Sequence, residues 1–361
     1  MKKLLTARNV LRDYKRTQQS VAPADGFLAI VDFGYQHYAL GDLLTKEVNF
    51  ACQAIEAGVE HIDLAVAIDP ARPSASAQGF VTPENYQTHF LNLAPALLCT
   101  PMLRSFRLLR DGGMTASLLR EAARDTGAPM WPAYEDQILR RITYPLGHDA
   151  INAFHEKHGF IPKLQPPRGY LAWAEAYRAR FHEDKFLVSI NPRQSRLTAN
   201  PAVIYRDADL DEWYEFIGVA GKEFPDVQFL QLGGFDEWRR ELSDFPNVTI
   251  PRAEGLGLAH ELALLTISDL FLGTSSGFAT MATFTDTPYL ICDIEHFFAP
   301  FAGIDVGAEH YPFAHDKQLL LWGKESADLL LAHLESNLEK SRSSTAADAN
   351  ASPIPAAMSL R

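Results

Sequence analysis

The sequence predicts an α/β protein of two halves, each built on a parallel sheet with helices packed around it. Apolar, strand-like runs alternate with helical segments between residues 27 and 68, and the same alternation restarts at Lys185. Alternation of this kind produces parallel strands joined by helical crossovers. A chain of 361 residues is long enough for two such units. Because ligands bind beyond the carboxyl ends of parallel strands, we expect the site in a cleft between the halves.

In the first half, residues 27–32 have the apolar character of a buried strand, and a loop over residues 34–42 follows. Residues 43–57 are amphipathic and form a predicted helix that Gly58 ends. Residues 62–68 are the next predicted strand. Short strands are expected near residues 105–109 and 130–131, and further helices at residues 83–98, 115–126, 148–158 and 170–182. The last of these helices and its proline-rich approach are the expected hinge.

The second half repeats the pattern and then changes in composition near its end. Predicted strands lie at residues 185–190, 227–232, 248–250, 270–272 and 288–292. Predicted helices lie at residues 210–224, 238–245, 258–268 and 325–340. Residues 341–361 are rich in Ser, Ala and Pro, so we expect this segment to be disordered.

Charge and cysteine usage narrow the function classes. A net charge of −12 argues against general nucleic-acid binding, which needs a basic face. The three cysteines are far apart and lie in apolar stretches, which argues against a disulfide framework and fits a reducing cytoplasm. No apolar run is long enough to cross a membrane. Residues 1–20 are basic and amphipathic, so they form either a solvated surface helix or a peripheral contact with a membrane surface.

The chain is organised around the stretch from Asp269 to Phe284, where a buried strand is followed by a small polar turn and a helix. Backbone N–H groups at a helix start are free to bind an anion. Four small residues form the turn itself: Thr274, Ser275, Ser276 and Gly277. They act either as a helix cap and tight turn or as a cradle for a diphosphate. Four such residues exceed what one cap requires, which favours the cradle.

Arginines and glycines lie at the ends of neighbouring predicted strands. Arg193 and Arg196 follow the strand at residues 185–190, and Arg206 lies a little further on. A guanidinium group binds phosphate through two hydrogen bonds and stays charged at every working pH. A surface salt bridge is the alternative role for each. Gly233 and Gly234 end the next strand, where they allow close approach of a nucleotide or simply form a turn.

The order of these features resembles the donor domain of GT-B glycosyltransferases. Residues 185–292 contain an arginine loop after a strand, a strand ending in two glycines, the Gly-Thr-Ser-Ser-Gly turn and a Thr-Pro pair before the last strand. This order resembles the bacterial heptosyltransferase-like branch. The arginine loop, the Tyr-Arg-Asp run at residues 205–207 and the turn also resemble bacterial polysaccharide glycosyltransferases related to fucosyltransferases. The resemblance implies a GT-B fold, with Rossmann-like domains at residues 1–180 for the acceptor and 181–340 for the nucleotide-sugar donor.

Asp42 is the candidate general base. In heptosyltransferases a Gly-Asp pair after the first strand supplies the base, and Gly41-Asp42 matches that pair. A carboxylate at this position can accept the proton of an attacking sugar hydroxyl. The alternative role is to cap the helix that follows. His37, five residues earlier, is a second candidate base.

Other polar side chains are candidate donor or acceptor contacts. Glu254 and His260 lie near the loop and helix before the central turn. Asp293, Glu295 and His296 follow the last main strand, in a run whose spacing matches no standard zinc pattern. We expect no metal site and no cofactor. Fingerprints for NAD, for a P-loop and for a nucleophile elbow are absent from the sequence.

The resemblance implies a cytoplasmic, metal-independent glycosyltransferase whose co-substrate is a nucleotide-diphosphate sugar. The implied acceptor is a glycan or glycolipid of bacterial surface polysaccharide, such as lipopolysaccharide. Two alternatives stay open at this point. One is a nucleotide-sugar epimerase or hydrolase of similar shape, and the other is a GT-B protein that has lost catalysis and acts as a binding module.

Overall fold

A computed structural model describes residues 26–71, 80–109, 112–132, 147–194, 206–234, 239–294 and 296–350, and the statements below concern these residues. Its first sheet has four strands: β1 (Gly26–Asp32), β2 (His61–Ala67), β3 (Leu103–Leu109) and β4 (Met130–Trp131). Their order is β3-β2-β1-β4, and every described pairing is parallel. The helices that precede the second sheet in the chain are α1 (Leu40–Glu56), α2 (Tyr86–Leu93), α3 (Gly112–Thr126), α4 (His148–His158) and α5 (Arg168–Phe181).

The second sheet has six strands: β5 (Phe186–Asn191), β6 (Val227–Gln231), β7 (Val248–Thr249), β8 (Leu270–Thr274), β9 (Tyr289–Cys292) and β10 (Gln318–Leu320). Their order is β10-β9-β8-β5-β6-β7, again parallel throughout the described pairings. The helices are α6 (Leu210–Glu223), α7 (Leu258–Thr266), α8 (Gly277–Thr283), α9 (Ala299–Ala302) and α10 (Ala327–Asn350). The predicted α/β architecture with two parallel sheets is confirmed.

The inner strands of both sheets are largely apolar because they are covered on both faces, whereas the edge strand β3 alternates half-buried and exposed residues. All seven residues of β1 are buried, as are all five of β8. Strands buried in this way read as continuous apolar runs, which is why they could be located in the sequence. One hydrophobic core includes residues of β1 and β2 together with Phe278 and Met281 of α8. The two halves therefore share apolar packing.

Several elements differ from the expectation; the helix expected at residues 238–245, for example, is a short 3-10 turn at Arg240–Asp244. Helix α1 begins at Leu40, so Asp42 lies inside its first turn and Ala39 occupies the capping position. The prediction that Asp42 caps this helix is therefore wrong. Strand β10 was not predicted, since it has only three residues and pairs only with β9. Helix α10 continues to Asn350, where disorder was expected from residue 341.

Candidate active site

The two halves meet where the first turn of α1 packs against the first turn of α8. A Cβ added to Gly277 would lie 2.6 Å from Cβ of Leu40. A Cβ added to Gly41 would lie 2.8 Å from Oγ1 of Thr280. Atoms this close would force the helices apart, so the packing favours glycine at both positions. The contact brings the loop after β1 next to the turn after β8.

The turn after β8 is only partly the open anion cradle that the sequence predicts. The N–H of Ser275 donates to the carbonyl of Cys292 at 2.9 Å, so it extends the pairing of β8 with β9. Ser276 caps α8, because its Oγ accepts a hydrogen bond from the N–H of Ala279 at 3.2 Å. The capping interpretation is thus confirmed for Ser276. Its hydroxyl hydrogen is still available to a ligand.

Several polar groups of this turn have no partner within the described part of the chain. The N–H groups of Ser276, Gly277 and Phe278 meet no acceptor there, as is usual in a first helical turn. Thr274 is fully buried at the end of β8, and its Oγ1 is also without a partner among those residues. Buried polar groups are normally hydrogen-bonded. The turn therefore has the properties of a site that a polar ligand completes.

Arg206 links this turn to the first half. Its Nη1 donates to the carbonyl of Ser275 at 3.5 Å, a long hydrogen bond. Its positive charge also acts to lower the pKa of Asp42, which places the guanidinium group close to that carboxyl. Arg206 is thus a cation near both the turn and the candidate base.

Arg193 forms an ion pair at the start of the loop after β5. Its Nη1 lies 2.7 Å from Oδ1 of Asp207, and its backbone carbonyl accepts from the N–H of Ala208 at 2.9 Å. Both contacts hold the segment that carries Arg206 against the loop after β5. In this structure Arg193 therefore forms the salt bridge that was the alternative to phosphate binding. Arg196 lies outside the described residues.

Asp42 is partly buried at the junction of the two halves. Removal from water raises its pKa above the usual range, although the charges of Lys46, His37 and Arg206 act to lower it. The side-chain amide of Gln36 also favours the ionised form. A carboxylate with a raised pKa binds a proton more strongly, which suits a general base. His37 is near this carboxylate, and its buried Nε2 has no partner among the described residues.

Lys46 and His148 belong to the same cluster and were not predicted. Lys46 lies one turn after Asp42 on α1 and is only 1% exposed. Its Nζ meets no hydrogen-bond acceptor among the described residues and lies 5.7 Å from the ring centroid of Trp131. Burial lowers the pKa of Lys46 to about 8, while the charge of Asp42 acts in the opposite direction. The four-residue spacing from Asp42 was the only signal for Lys46 in the sequence.

His148 starts α4 and is buried against the rings of Phe284 and Tyr311. Burial lowers the pKa of His148 to about 4, and the charge of Lys46 acts in the same direction. The imidazole is therefore neutral at pH 7. Its Nδ1 is buried, with no partner in the described ranges. No sequence motif pointed to His148.

The glycines after β6 have separate roles. Gly233 has a φ of 149°, and its N–H donates to Oε1 of Glu261 at 3.0 Å. Glu261 is fully buried and forms a 2.6 Å ion pair with Arg252. Gly233 is therefore fixed by its own backbone conformation and by this pair. Among the residues that the structure describes, no atom lies within 4 Å of a Cβ added to Gly234.

Glu254 and His260 are turned toward the linking helix α5. Glu254 accepts a hydrogen bond from the hydroxyl of Tyr177 at 3.0 Å. The ring of His260 packs against the rings of Tyr170 and Trp173. Both residues therefore have partners on α5 and contribute to how the second half attaches to that helix.

Asp293 belongs to a buried charged network at the end of β9. It has a φ of 57°, and its Oδ2 lies 2.8 Å from Nζ of Lys324. Burial and the neighbouring carboxyl of Glu325 raise the pKa of Asp293 to about 7, against the effect of Lys324. Lys324 also donates to the carbonyl of Asp207 at 2.8 Å. The network thus connects the loop after β9 to the partner of Arg193.

The other two residues of the predicted run are Glu295 and His296. His296 is exposed, with its ring 5.9 Å from that of Trp322, and Glu295 lies outside the described residues. Within those residues no group of three His, Cys, Asp or Glu side chains is arranged to hold a metal ion. No helix in the described ranges combines the length and apolar character needed to cross a membrane.

Comparison with known proteins identifies the fold. No protein-family model matches the sequence, and no curated protein matches it. Among solved structures, a glycosyl transferase family 9 protein from Veillonella parvula DSM 2008 is similar, with a TM-score of 0.54 and 11% sequence identity. The match covers 88% of this chain and 98% of that one.

A second solved structure has the same architecture. The E. coli ADP-heptose lipopolysaccharide heptosyltransferase II matches with a TM-score of 0.52 and 12% identity, over 88% of this chain and 99% of its own. Sequence identity this low supports a shared fold only. Two parallel sheets with this arrangement, and similarity to these two structures over nearly their whole lengths, show that the chain has the GT-B fold.

Proposed function

We propose that this protein is a glycosyltransferase that moves a sugar from a nucleotide-diphosphate donor to an acceptor hydroxyl. The observation that carries the proposal is the junction of the two halves. There the helix bearing Asp42 packs on the helix that follows the Thr274–Gly277 turn, with Arg206 close to both. Transfer from a diphosphate requires a base, which one half supplies, and positive charge with hydrogen-bond donors at the diphosphate, which Arg206 and the backbone N–H groups of the turn supply from the other half.

The second half would bind the diphosphate. Hydrogen-bond donors at this turn are Arg206, the hydroxyls of Ser275 and Ser276, and the first N–H groups of α8, which meet no acceptor among the described residues. Donors fixed in place stabilise the negative charge that develops on a leaving diphosphate. Because this charge compensation comes from the protein, we propose that transfer needs no metal. Gly234 leaves room for the nucleotide near the end of β6.

Arg193 has a supporting role in this proposal. Its ion pair with Asp207 and the hydrogen bond between its carbonyl and Ala208 hold the chain on either side of residue 207. Arg206 precedes that residue directly. Arg193 would therefore position Arg206 and leave phosphate binding to it.

Asp42 would act as the base for the acceptor. Its raised pKa makes the carboxylate a better proton acceptor, and Lys46 and Arg206 keep the ionised form accessible. An acceptor hydroxyl presented beside Asp42 would attack the anomeric carbon of a sugar held by the turn. Enclosure of the junction by both halves would exclude water and favour transfer over hydrolysis.

The acceptor class follows from the sequence resemblance in residues 185–292. We propose a glycan or glycolipid of bacterial surface polysaccharide, lipopolysaccharide among them. The protein would then work in the cytoplasm, at the inner face of the membrane that carries such acceptors. The basic segment at residues 1–20 is the proposed membrane contact.

A thermal-shift screen with ADP, CDP, GDP and UDP tests the donor half of the proposal. A ligand that binds only the folded state raises the melting temperature. At a ligand concentration of a hundred times Kd, it increases the free energy of unfolding by about 2.7 kcal/mol. We expect one of the four to do so. Arg206→Ala should abolish the shift, whereas Arg240→Ala, on an exposed surface position, should retain it. No shift with any of the four nucleotides would refute nucleotide-sugar binding.

A further inference from the structure

A small, partly enclosed cavity lies directly beside the turn after β8. It is lined by residues of both halves, among them His148 from α4, Ser276 and Thr280 from α8, and Phe298 and Tyr311 from the segment after β9. Its volume is about 30 Å³. A cavity needs roughly 10–15 Å³ for each water molecule, so this one holds about two non-hydrogen atoms of a ligand.

The cavity has a polar side and an apolar side. His148 contributes a neutral imidazole with an Nδ1 that lacks a partner among the described residues. Thr280 lines the cavity too, and its hydroxyl donates to the carbonyl of Ser276 at 3.2 Å, so its oxygen can still accept. The apolar part of the wall is formed by the aromatic rings of Phe284 and Phe298. A group with one carbon and one hydroxyl matches this division.

The position of the cavity relates it to the donor. Ser275 and Ser276 belong both to its lining and to the turn proposed to hold the diphosphate. The hydroxyl of Thr280 lies close to Gly41, the residue before the candidate base Asp42. A sugar attached to a diphosphate at the turn would therefore lie between the cavity and Asp42.

We propose that this cavity binds the exocyclic hydroxymethyl group of the donor sugar, so that the enzyme selects a hexose that carries a free hydroxymethyl group. The inference rests on the proposed function and names the substrate class for the same site. His148 is the specificity-determining residue: it hydrogen-bonds the hydroxyl of that group, while the aromatic wall packs against its carbon. Pentoses leave the cavity unfilled, and 6-deoxy sugars leave His148 without a partner.

The test compares two donors that differ only in this group. Calorimetry would use the glucose and xylose conjugates of whichever nucleoside diphosphate binds in the screen, with the free diphosphate as reference. One hydrogen bond and one buried carbon correspond to about a tenfold to fiftyfold difference in Kd. We therefore expect the glucose conjugate to bind at least about ten times more tightly than the xylose conjugate.

Two variants check that the cavity is responsible. His148→Leu removes the imidazole, and Ala279→Val fills the cavity from α8, since Ala279 also lines it. Both should erase the difference between the two conjugates and leave the Kd of the free diphosphate within about twofold. His155→Leu, on the same helix but outside the lining, is the matched control and should preserve the difference.

The outcomes separate this inference from the proposed function. Failure of all four nucleoside diphosphates to bind would remove the proposed function itself. Equal affinities for the glucose and xylose conjugates, with the diphosphate bound, would overturn only the hydroxymethyl site. A glucose preference that survives in both His148→Leu and Ala279→Val would overturn it as well, because the preference would then arise elsewhere.

Discussion

Leu40 lies directly over Gly277, on the opposite side of the junction between the two halves. A methyl group at position 277 would come within 2.6 Å of Cβ of Leu40, and both residues belong to first turns of helices. The sequence indicated Gly277 as part of a ligand turn. The structure adds a packing requirement, since only a hydrogen atom at this position lets the helix with the candidate base approach the helix with the candidate donor site.

Gly277→Ala should therefore destabilise the fold. Overpacking of a tight contact typically costs about 1–3 kcal/mol, because one helix must move away from the other. Urea denaturation would measure the loss. Gly234→Ala is the matched control, since a Cβ there meets no atom of the described residues within 4 Å, and it should leave stability unchanged or slightly higher. An equal loss in the two variants would contradict the packing argument.

Asp207→Asn should weaken binding of the nucleoside diphosphate. If Arg193 positions Arg206 through its 2.7 Å ion pair with Asp207, loss of the carboxylate loosens Arg206 and raises Kd about three- to tenfold. If Arg193 contacts phosphate itself, the same change frees its guanidinium group and lowers Kd. Calorimetry distinguishes the two roles of Arg193, because Kd rises in the first case and falls in the second. Asp211→Asn, at an exposed position, is the control and should bind as the wild type does.

Glu47→Gln should make stability less dependent on pH. Glu47 is fully buried on α1, and burial raises its pKa to about 8, while the N–H of Thr100 donates to its Oε2 at 3.3 Å. A carboxyl with a higher pKa in the folded state binds more protons there than when unfolded. Wild-type stability is therefore lost as pH rises from about 4.5 to about 8.

The Gln variant keeps the acceptor for Thr100 and cannot ionise. It should match the wild type near pH 4 and exceed it by about 1–3 kcal/mol near pH 8. Denaturation midpoints across this range would show the divergence. Glu60→Gln, on the exposed surface, should remain parallel to the wild type. A constant offset between Glu47→Gln and the wild type would refute an ionisation effect.

Much of the fold followed from the sequence because the buried strands are apolar along their whole length. Helix α4 has the predicted bounds, and β1, β8 and β9 lie where their apolar runs indicated. Strand β10 escaped prediction because it is an edge strand of three residues, too short for a pattern. The predicted start of α1 was wrong because Asp is a common capping residue, which favours a cap at Asp42. In the structure Ala39 occupies the capping position, and the carboxyl of Asp42 lies at the junction of the two halves.

Only the part of the candidate site that directly follows a single strand could be predicted from the sequence. The turn after β8 stood out as a local run of small polar residues. The buried neighbours of Asp42 come from distant parts of the chain, and His148 becomes one only when α4 packs near α1. The ion pair of Arg193 with Asp207 was equally hidden, since any of many acids could have been its partner. Pairwise contacts of this kind depend on the tertiary fold.

Replacement of the two candidate bases should identify the one that accepts the proton. Asp42→Asn should lower transfer about 10²–10⁴-fold and leave diphosphate affinity within about threefold, whereas His37→Gln should lower transfer only a few-fold. The wild-type kcat/KM should fall as pH drops through the raised pKa of Asp42, because a protonated carboxyl cannot act as a base. Lys46→Met removes a charge that lowers this pKa, so the acid limb of the pH profile should move to higher pH. Transfer rates measured with a donor and acceptor pair between pH 4 and pH 9 would identify the base. Full activity of Asp42→Asn, together with loss of the acid limb in His37→Gln, would assign the base to His37.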